Sequence, residues 1–406
     1  MPAQRPYDLV LFGATGFTGG LTAEYLARSA PADCRWALAG RDRGRLEAVR
    51  RRLAAIDPRC GDLPLLTVDA SDRTALREIA GSTRVVISTV GPYLTYGEPL
   101  VAACADAGTD YVDLTGEPEF VDRMYLLHHR RAVETGARLV HACGFDSVPH
   151  DLGALFTVQA LRGEDAVPGG GAPVAVRGFV RVGGIFSGGT FATALTVLSR
   201  PAAAARAARE RRAAEPPTRG RRLRTVSGLP RRSRAARAWI VPLPTIDPVI
   251  VGRSAAADPG YGRDFSYGHF AAVRRLPVAL GGTAGFALLA AAAQLPVLRR
   301  ALSSLWKPGQ GPDEARRAKG WFTVRFLGES GGRQVYTEVS GGDPGYGETA
   351  KMLGESALCL AFDDLPATSG QLTTATAMGQ ALITRLTAAG LRFTVLAGPP
   401  ASAPGR

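Results

Sequence analysis

The first 145 residues alternate short runs of apolar, β-type residues with stretches whose apolar positions recur at helical spacing. Residues 7–12 (YDLVLF) read as a strand, followed by a glycine loop and a helix over about 18–28. A second strand is expected at 35–39, and the helix after it carries Leu46, Val49 and Leu53 on one face. Further strands are expected at 65–68, 85–89, 111–114 and 138–141, with helices over 100–107 and through about 127. Buried strands alternating with helices make a parallel sheet covered on both faces, and six of them fit a Rossmann-like doubly wound α/β domain over residues 1–149.

Past residue 149 the period changes. Residues 174–182, 322–327 and 334–340 alternate apolar with polar positions, as half-exposed antiparallel strands do. They predict a second, α+β domain over 150–349 with mostly antiparallel strands. Helices over 350–362 and 373–389 are expected to pack back on the first domain within 350–397, with a last short strand at 393–396. A tail, 398–406, closes the chain.

Composition changes this picture in one place. The 406 residues are 46% hydrophobic with a mean hydropathy of +0.01, which excludes a mainly disordered chain. The formal net charge is +13, but residues 200–237 hold 13 Arg against two Glu, so the rest of the chain is nearly neutral. Pro216, Pro217, Pro230, Gly220 and Gly228 predict that the second half of this insertion is a mobile loop. It has no interleaved aromatic residue, which argues against a nucleic-acid arm. A solvated insertion and a patch for anionic lipid or an acidic carrier protein remain open. Residues 276–298 are free of charge and bounded by Arg274, Arg275, Arg299 and Arg300. The run is long enough to span a bilayer, but Gly281, Gly282, Gly285, Pro277 and Pro296 favour a buried or interfacial helix. Five cysteines without a C-x-x-C pair, and no secretory h-region, predict a cytoplasmic protein, with peripheral contact at the inner face of the plasma membrane as a further expectation.

The most informative local feature is Gly13-Ala14-Thr15-Gly16-Phe17-Thr18-Gly19. A buried strand that ends in closely spaced glycines and opens a helix presents backbone N–H groups and a helix N-terminus to a pyrophosphate. The G-x-x-G-x-x-G spacing departs from the G-x-G-x-x-G fingerprint, yet it sits after a strand inside a βαβ pattern. At the end of the second strand, where an NAD site places an acid, stands Arg41. A guanidinium there suits a 2′-phosphate, so the cofactor is expected to be NADPH. Asp42 is expected to begin the next helix, and Asp69 to lie on the adenine side. Ser88, Thr89, Val90, Gly91 and Pro92 end the fourth strand and are expected to border the nicotinamide end.

These residues resemble a known family. GATGFTGG, LAGRDRGRLE, VVISTVGPYLTYGEPLVAACADAGTDYVDLTGE and CGFDSVPHDLG are similar to the saccharopine dehydrogenase-like oxidoreductases. WIVPLPTIDPVIVGRS, WKPGQGPDEARRAKGWFTVRF and GDPGYGETAKMLGESALCLA resemble the actinobacterial subgroup of trans-acting enoyl reductases. The resemblance spans about residues 7–395. It implies NADPH-dependent reduction of an enoyl group on a polyketide or fatty-acyl intermediate in lipid or glycolipid synthesis, carried by a synthase. It also implies a Rossmann domain completed by C-terminal helices, and a middle domain used in dimerisation. NADP-linked reduction of an imine or amino-acid conjugate, and a non-catalytic cofactor-binding scaffold at lipid surfaces, are the rival readings.

Enoyl reduction needs a hydride at one alkene carbon and a proton at the other. Tyr93, Tyr96, Asp146 and Ser147 follow predicted strands four and six and are the candidate proton donors or orienting groups, with Tyr346 and Lys351 further along. Asp146 and Ser147 also suit a helix cap. His141, Cys143 and His150 are near enough in sequence to raise a metal site, but no second spaced pair accompanies them, and no metal is expected.

Overall fold

The computed structural model describes residues 5–163, 171–183, 188–218, 220–305 and 314–399, so all but the first two residues of the expected 398–406 tail lie outside it. The first sheet is built in the order β1 (Tyr7–Phe12), α1 (Phe17–Ser29), β2 (Trp36–Gly40), α2 (Arg43–Ala54), β3 (Leu65–Thr67), α3 (Arg73–Ser82) and β4 (Thr83–Ser88). It continues through α4 (Tyr93–Tyr96), α5 (Glu98–Ala107), β5 (Asp110–Asp113), α6 (Pro118–Thr135), β6 (Arg138–Val140) and α7 (Val148–Arg162). The strands predicted in this region all form. They are apolar runs with both faces covered, and Leu9, Leu11, Leu38, Val85 and Ile87 have no exposed surface. Leu46, Val49 and Leu53 bury the inner face of α2, whose N-cap is Asp42, accepting from the Arg45 amide.

The second sheet draws on β7 (Val174–Gly183), α8 (Gly188–Leu198), α9 (Pro201–Ala214), β8 (Arg222–Val226), β9 (Arg231–Ser233), β10 (Ala238–Pro242), α10 (Asp247–Ala257) and β11 (Asp264–Val273). After α11 (Leu276–Gln294), α12 (Pro296–Leu305) and α13 (Glu314–Arg317) come β12 (Trp321–Ser330) and β13 (Arg333–Gly341). The chain ends with α14 (Gly347–Phe362), β14 (Gly370–Leu372), α15 (Thr374–Ala377), α16 (Gly379–Ala388) and β15 (Arg392–Leu396).

The first sheet has the order β14-β6-β5-β4-β1-β2-β3, with every pairing parallel. The chain winds outward from β1 to β3, then returns to the other side of β1 as β4. This switch opens a crevice at the carboxyl ends of β1 and β4, where doubly wound sheets hold their ligands. The second sheet is mixed, in the order β15-β13-β12-β7-β11-β10-β9 with β8 also on β11. Its pairings are antiparallel except β7–β11 and β8–β11. Helix α7 lies on this sheet, where Thr157 Oγ1 and Thr337 Oγ1 share a buried 2.6 Å hydrogen bond. Helix α14 packs against α1, and Tyr25 donates a 2.5 Å hydrogen bond to Glu355. One apolar core, including Leu9, Val140, Leu152, Val176, Phe326 and Leu353, runs through both sheets.

The last 40 residues depart from expectation. A seventh parallel strand, β14, pairs with β6, and the single helix expected over 373–389 breaks at Met378 into α15 and α16. The last strand, β15, joins β13 in the second sheet.

The basic insertion differs from its expected form as well. Its first part is α9, laid on α6, and its second part forms β8 and β9 rather than a mobile loop. Ion pairs with acids distant in sequence seat α9, and backbone pairing with β11 and β10 orders β8 and β9. Arg200 meets Glu119 at 2.7 Å, and the nearly buried Arg211 meets Asp122 at 2.5 Å. Arg221 reaches the backbone carbonyls of Ala255, Ala256, Asp258 and Gly262. The apolar run also differs from a buried helix. It bends at Leu295, and in α11 only Ala279 and Ala293 are buried.

Candidate functional site

The glycine loop is built as its spacing requires. Gly13 has φ +95°, a conformation open to glycine. At Gly19 a Cβ would lie 2.1 Å from the Gly13 carbonyl oxygen, so only glycine lets α1 start this close to the end of β1. Thr89 Oγ1 donates to the carbonyls of Phe12 and Gly13 at 3.2 and 3.1 Å, tying the ends of β1 and β4 across the crevice. The α1 N-cap, Gly16, supplies no side-chain acceptor, and the first turn has no acidic residue. The leading amides of α1, those of Phe17, Thr18 and Gly19, therefore lack intrahelical acceptors. A helix end uncapped in this way, with the helix dipole behind it, fits a diphosphate. Thr15 and Arg41 lie beside this helix end, at the carboxyl end of β2. The Thr15 side chain lies 3.8 Å from where a Cβ on Gly40 would sit. Arg41 is exposed just past β2 and makes no ion pair among the described residues. The Ser71 hydrogen bonds and the charge of Arg41 hold the Asp69 carboxyl below its ordinary range, placing this acid on the same rim.

The other wall comes from the loops after β4, β5 and β6. Val90, Gly91 and Pro92 leave the end of β4 at the surface, past the buried Ser88. Tyr93 turns away from the crevice. Its hydroxyl donates to the Ser88 carbonyl at 3.0 Å and accepts from the Leu114 amide at 3.4 Å, and burial pushes its pKa up. Tyr93 is thus a brace between two strand ends, which removes it as a proton donor. Glu117, which sequence reasoning passed over, anchors the same loop by accepting from the amides of Tyr93 and Leu94 at 3.0 and 2.9 Å. Tyr96 is 48% exposed, outside the crevice wall.

The loop 143–147 is fastened from above by the start of α14. The Phe145 amide donates to Thr349 Oγ1 at 3.1 Å, and the Phe145 ring packs edge-on against Phe322, with centroids 5.0 Å apart. Tyr346, one residue before α14, is buried edge-on against Phe17 at 4.8 Å, which brings this segment over the glycine loop. Lys351, one turn into α14, is paired with Glu348 at 2.9 Å and lies 3.9 Å from where a Cβ on Gly390 would sit. That pairing makes it a surface tie to the end of α16 rather than a crevice group. Ser147 is fully buried, and it makes no side-chain bond to α7, so it does not cap that helix.

Asp146 is half-buried at the mouth. Its Oδ2 and the Thr193 methyl of α8 lie 3.7 and 3.5 Å from where a Cβ on Gly116 would sit, so three segments meet there. Behind it is a buried ionic group contributed by three elements. His150 Nδ1 of α7 lies 3.0 Å from Asp247 Oδ1 of α10, and His269 Nε2 of β11 lies 3.4 Å from Asp247 Oδ2. Thr245 donates to Asp247, and Tyr267 OH lies 3.2 Å from the other ring nitrogen of His269. Burial would strip His150 of its proton, but Asp247 and Asp146 together outweigh it and raise the pKa, while the two histidines hold Asp247 low. Burial and the charge of His150 lower His269 to about 4. Burial and the nearby Asp247 raise Asp146 to about 7, against the opposing charge of His150. A half-exposed carboxyl that holds a proton near neutrality is suited to general acid catalysis.

The sequence grouping of His141, Cys143 and His150 is not met in space. His141 Nδ1 is 2.7 Å from Asp113 Oδ2 and Cys143 donates to the Val140 carbonyl. His150 instead joins Asp247 and His269, whose potential ligand atoms all lie within 4.8 Å of one another. The only sequence sign of this trio was the presence of Asp247 and His150 in the motifs TIDPVIVGRS and SVPHDLG.

Comparison with known proteins agrees with this geometry. The family model described as the saccharopine dehydrogenase NADP binding domain matches residues 9–140, from β1 to the end of β6. A relative from Mycobacterium tuberculosis, provisionally named a trans-acting enoyl reductase, is 42% identical over 95% of this chain and 97% of its own length. The trans-acting enoyl reductase of Mycobacterium ulcerans is 37% identical over 96% of this chain and 97% of its own length. The fold is that of the apo saccharopine dehydrogenase (L-Glu forming) of Saccharomyces cerevisiae, with a TM-score of 0.54 at 13% identity, covering 96% of this chain and all of that one.

Proposed function

This chain belongs to the family of the trans-acting enoyl reductases, built on the saccharopine dehydrogenase fold, and we propose that it reduces the C=C bond of a fatty-acyl or polyketide thioester with NADPH. The observation that carries this reading is the placement of a half-buried carboxyl, Asp146, on the loop after β6 along the same sheet edge as the diphosphate cradle, where its surroundings raise its pKa to about 7. The bound cofactor supplies the hydride. The uncapped amides of α1 hold its diphosphate and Arg41 its 2′-phosphate. Glu117 fixes the backbone of the Pro92–Leu94 loop, and Phe17, Phe145 and Tyr346 keep water from the reacting carbons. Asp146 delivers the proton to the carbon next to the thioester carbonyl as charge develops there, and solvent at the mouth recharges it. The ion pair of His150 with Asp247 holds the loop and sets the proton affinity of Asp146.

The trans-acting character in the relatives' names supports delivery of the substrate on a separate carrier or synthase, in lipid or glycolipid assembly. The test is purified protein with NADPH and a short 2-enoyl thioester. Loss of NADPH absorbance with a saturated product is expected, and Asp146→Asn should lower kcat by about 10²–10⁴-fold with NADPH affinity intact. Oxidation of NADPH by an imine but not by the thioester would replace this reading, and binding without turnover of either would favour a scaffold.

A further inference from the structure

Helix α11 is apolar all round and largely uncovered. Its window of mean hydropathy 1.7 is only 11% buried. Residues 280–288 are all exposed, with Val278, Leu280, Phe286 and Leu288 at 54%, 54%, 43% and 71%. At Gly281, Gly282 and Gly285 a Cβ would meet nothing within 4 Å. The exposure continues across the bend, with Leu295, Val297 and Leu298 at 55%, 74% and 44%. A soluble chain rarely leaves so continuous an apolar surface without something to cover it.

Charge and attachment narrow what covers it. No Asp or Glu occurs from residue 265 to 312, while Arg274 and Arg275 precede α11 and Arg299 and Arg300 lie in α12. At 1.5 Å per residue, 19 residues span roughly 28 Å, enough to cross a bilayer core. Both ends of α11, however, are held to the same body. Ala279 and Ala293 are buried, the helix packs on β10, β11 and α8, and Gln294 donates to the Leu198 carbonyl. A helix pinned at both ends lies along a surface rather than through it, and arginine pairs at each end match anionic headgroups.

We propose that α11 and the start of α12 embed in the face of an anionic phospholipid bilayer, with the arginine pairs at headgroup level. Helix α8, which packs under both, also reaches the crevice mouth through Thr193. The lipid surface and the reacting site are therefore separated by one helix, which gives a long acyl chain a route between them. This route rests on the enoyl-reductase reading, whereas the docking rests on the helix itself.

The test is flotation of the full chain with vesicles of phosphatidylcholine containing phosphatidylglycerol, at low and high salt. Binding is expected at low salt. The triple variant Leu280→Asp, Phe286→Asp and Leu288→Asp should reduce it at least 100-fold, and Arg274→Gln with Arg275→Gln should weaken it about tenfold. Both variants should keep wild-type NADPH affinity and wild-type turnover of a short soluble thioester, which reads folding and function separately from docking. Failure of the wild-type chain to float at low salt overturns the proposal. So does a dimer in solution that the triple variant dissolves, because a second copy would then cover α11.

Discussion

Replacing Gly19 with alanine probes the cofactor cradle at its tightest point. The added methyl would stand 2.1 Å from the Gly13 carbonyl oxygen, 2.7 Å from Thr89 Oγ1 and 2.9 Å from the Gly13 carbonyl carbon. Two of these atoms are backbone, and Thr89 is committed to bridging β1 and β4. The start of α1 must therefore retreat by about 1 Å to restore ordinary contact. Overpacking of this kind costs about 1–3 kcal/mol of stability. The retreat also draws the leading amides away from the diphosphate. Loss of one charge-assisted hydrogen bond, about 1.5–3 kcal/mol, corresponds to roughly a 10- to 150-fold weaker Kd for NADPH. Two neighbours serve as internal controls. At Gly16 the methyl meets only one atom, at 3.3 Å, and at Gly20 its close contact is the mobile tip of Arg52. Thermal melts should rank Gly19→Ala as more destabilising than Gly16→Ala or Gly20→Ala, and fluorescence titration should show a far larger loss of NADPH affinity in Gly19→Ala than in Gly20→Ala. Wild-type NADPH affinity in a folded Gly19→Ala protein would refute the cradle.

Arg41→Ala should weaken NADPH about tenfold or more while leaving NADH little changed, as read by comparative titration; equal loss for both would place the 2′-phosphate elsewhere. Turnover should fall as pH rises through about 7, because Asp146 donates only in its neutral form. His150→Gln removes the cation that favours the ionised carboxyl and leaves Asp247 of α10 facing it unpaired, with His269 of β11 neutral. The falling limb should then move to higher pH, and an unmoved limb would separate His150 from Asp146. Dialysis against a chelator should leave activity and melting temperature unchanged; one bound zinc per chain, lost with activity, would make His150, Asp247 and His269 a metal site instead. Asp122→Ala should cost about 1–3 kcal/mol in chemical denaturation, because the nearly buried Arg211 loses one of its two carboxylate partners and keeps Glu215.

The first six strands were legible because most are short apolar runs set between helical stretches, and the glycine spacing with Arg41 pointed to the cofactor. The seventh was not. Gly370–Leu372 is three residues with a glutamine at its centre, and its stability comes from β6 and from the Gln371 side chain donating to the Val121 carbonyl. The prolines and glycines of the basic insertion predicted a mobile loop, whereas β8 and β9 pair with β11 and β10, and the acids that hold α9, Glu119 and Asp122, lie some 80 to 90 residues earlier on α6. Tyr93 illustrates the limit of reading a side chain from its loop. Its position was foreseeable, but the direction of its hydroxyl depends on Ser88 and Leu114. His269 had no local signal and nothing local joined Asp247 to His150, since a buried ionic group assembled from α7, α10 and β11 exists only in three dimensions.

The placement of β14 and β15 also bears on how the chain is made. Strand β6 emerges during synthesis more than two hundred residues before its outer neighbour, so it waits as an open edge while the second sheet is laid down. Residues 370–396 then close both sheets in one passage, and Thr374 and Ala375 reach the buried Asp151 carboxylate at 2.9 and 2.8 Å on the way. A ribosome that stalls in this last stretch would release a chain with its nucleotide crevice largely formed but with unpaired edges on both sheets. Such a chain is a natural client for chaperones and proteases.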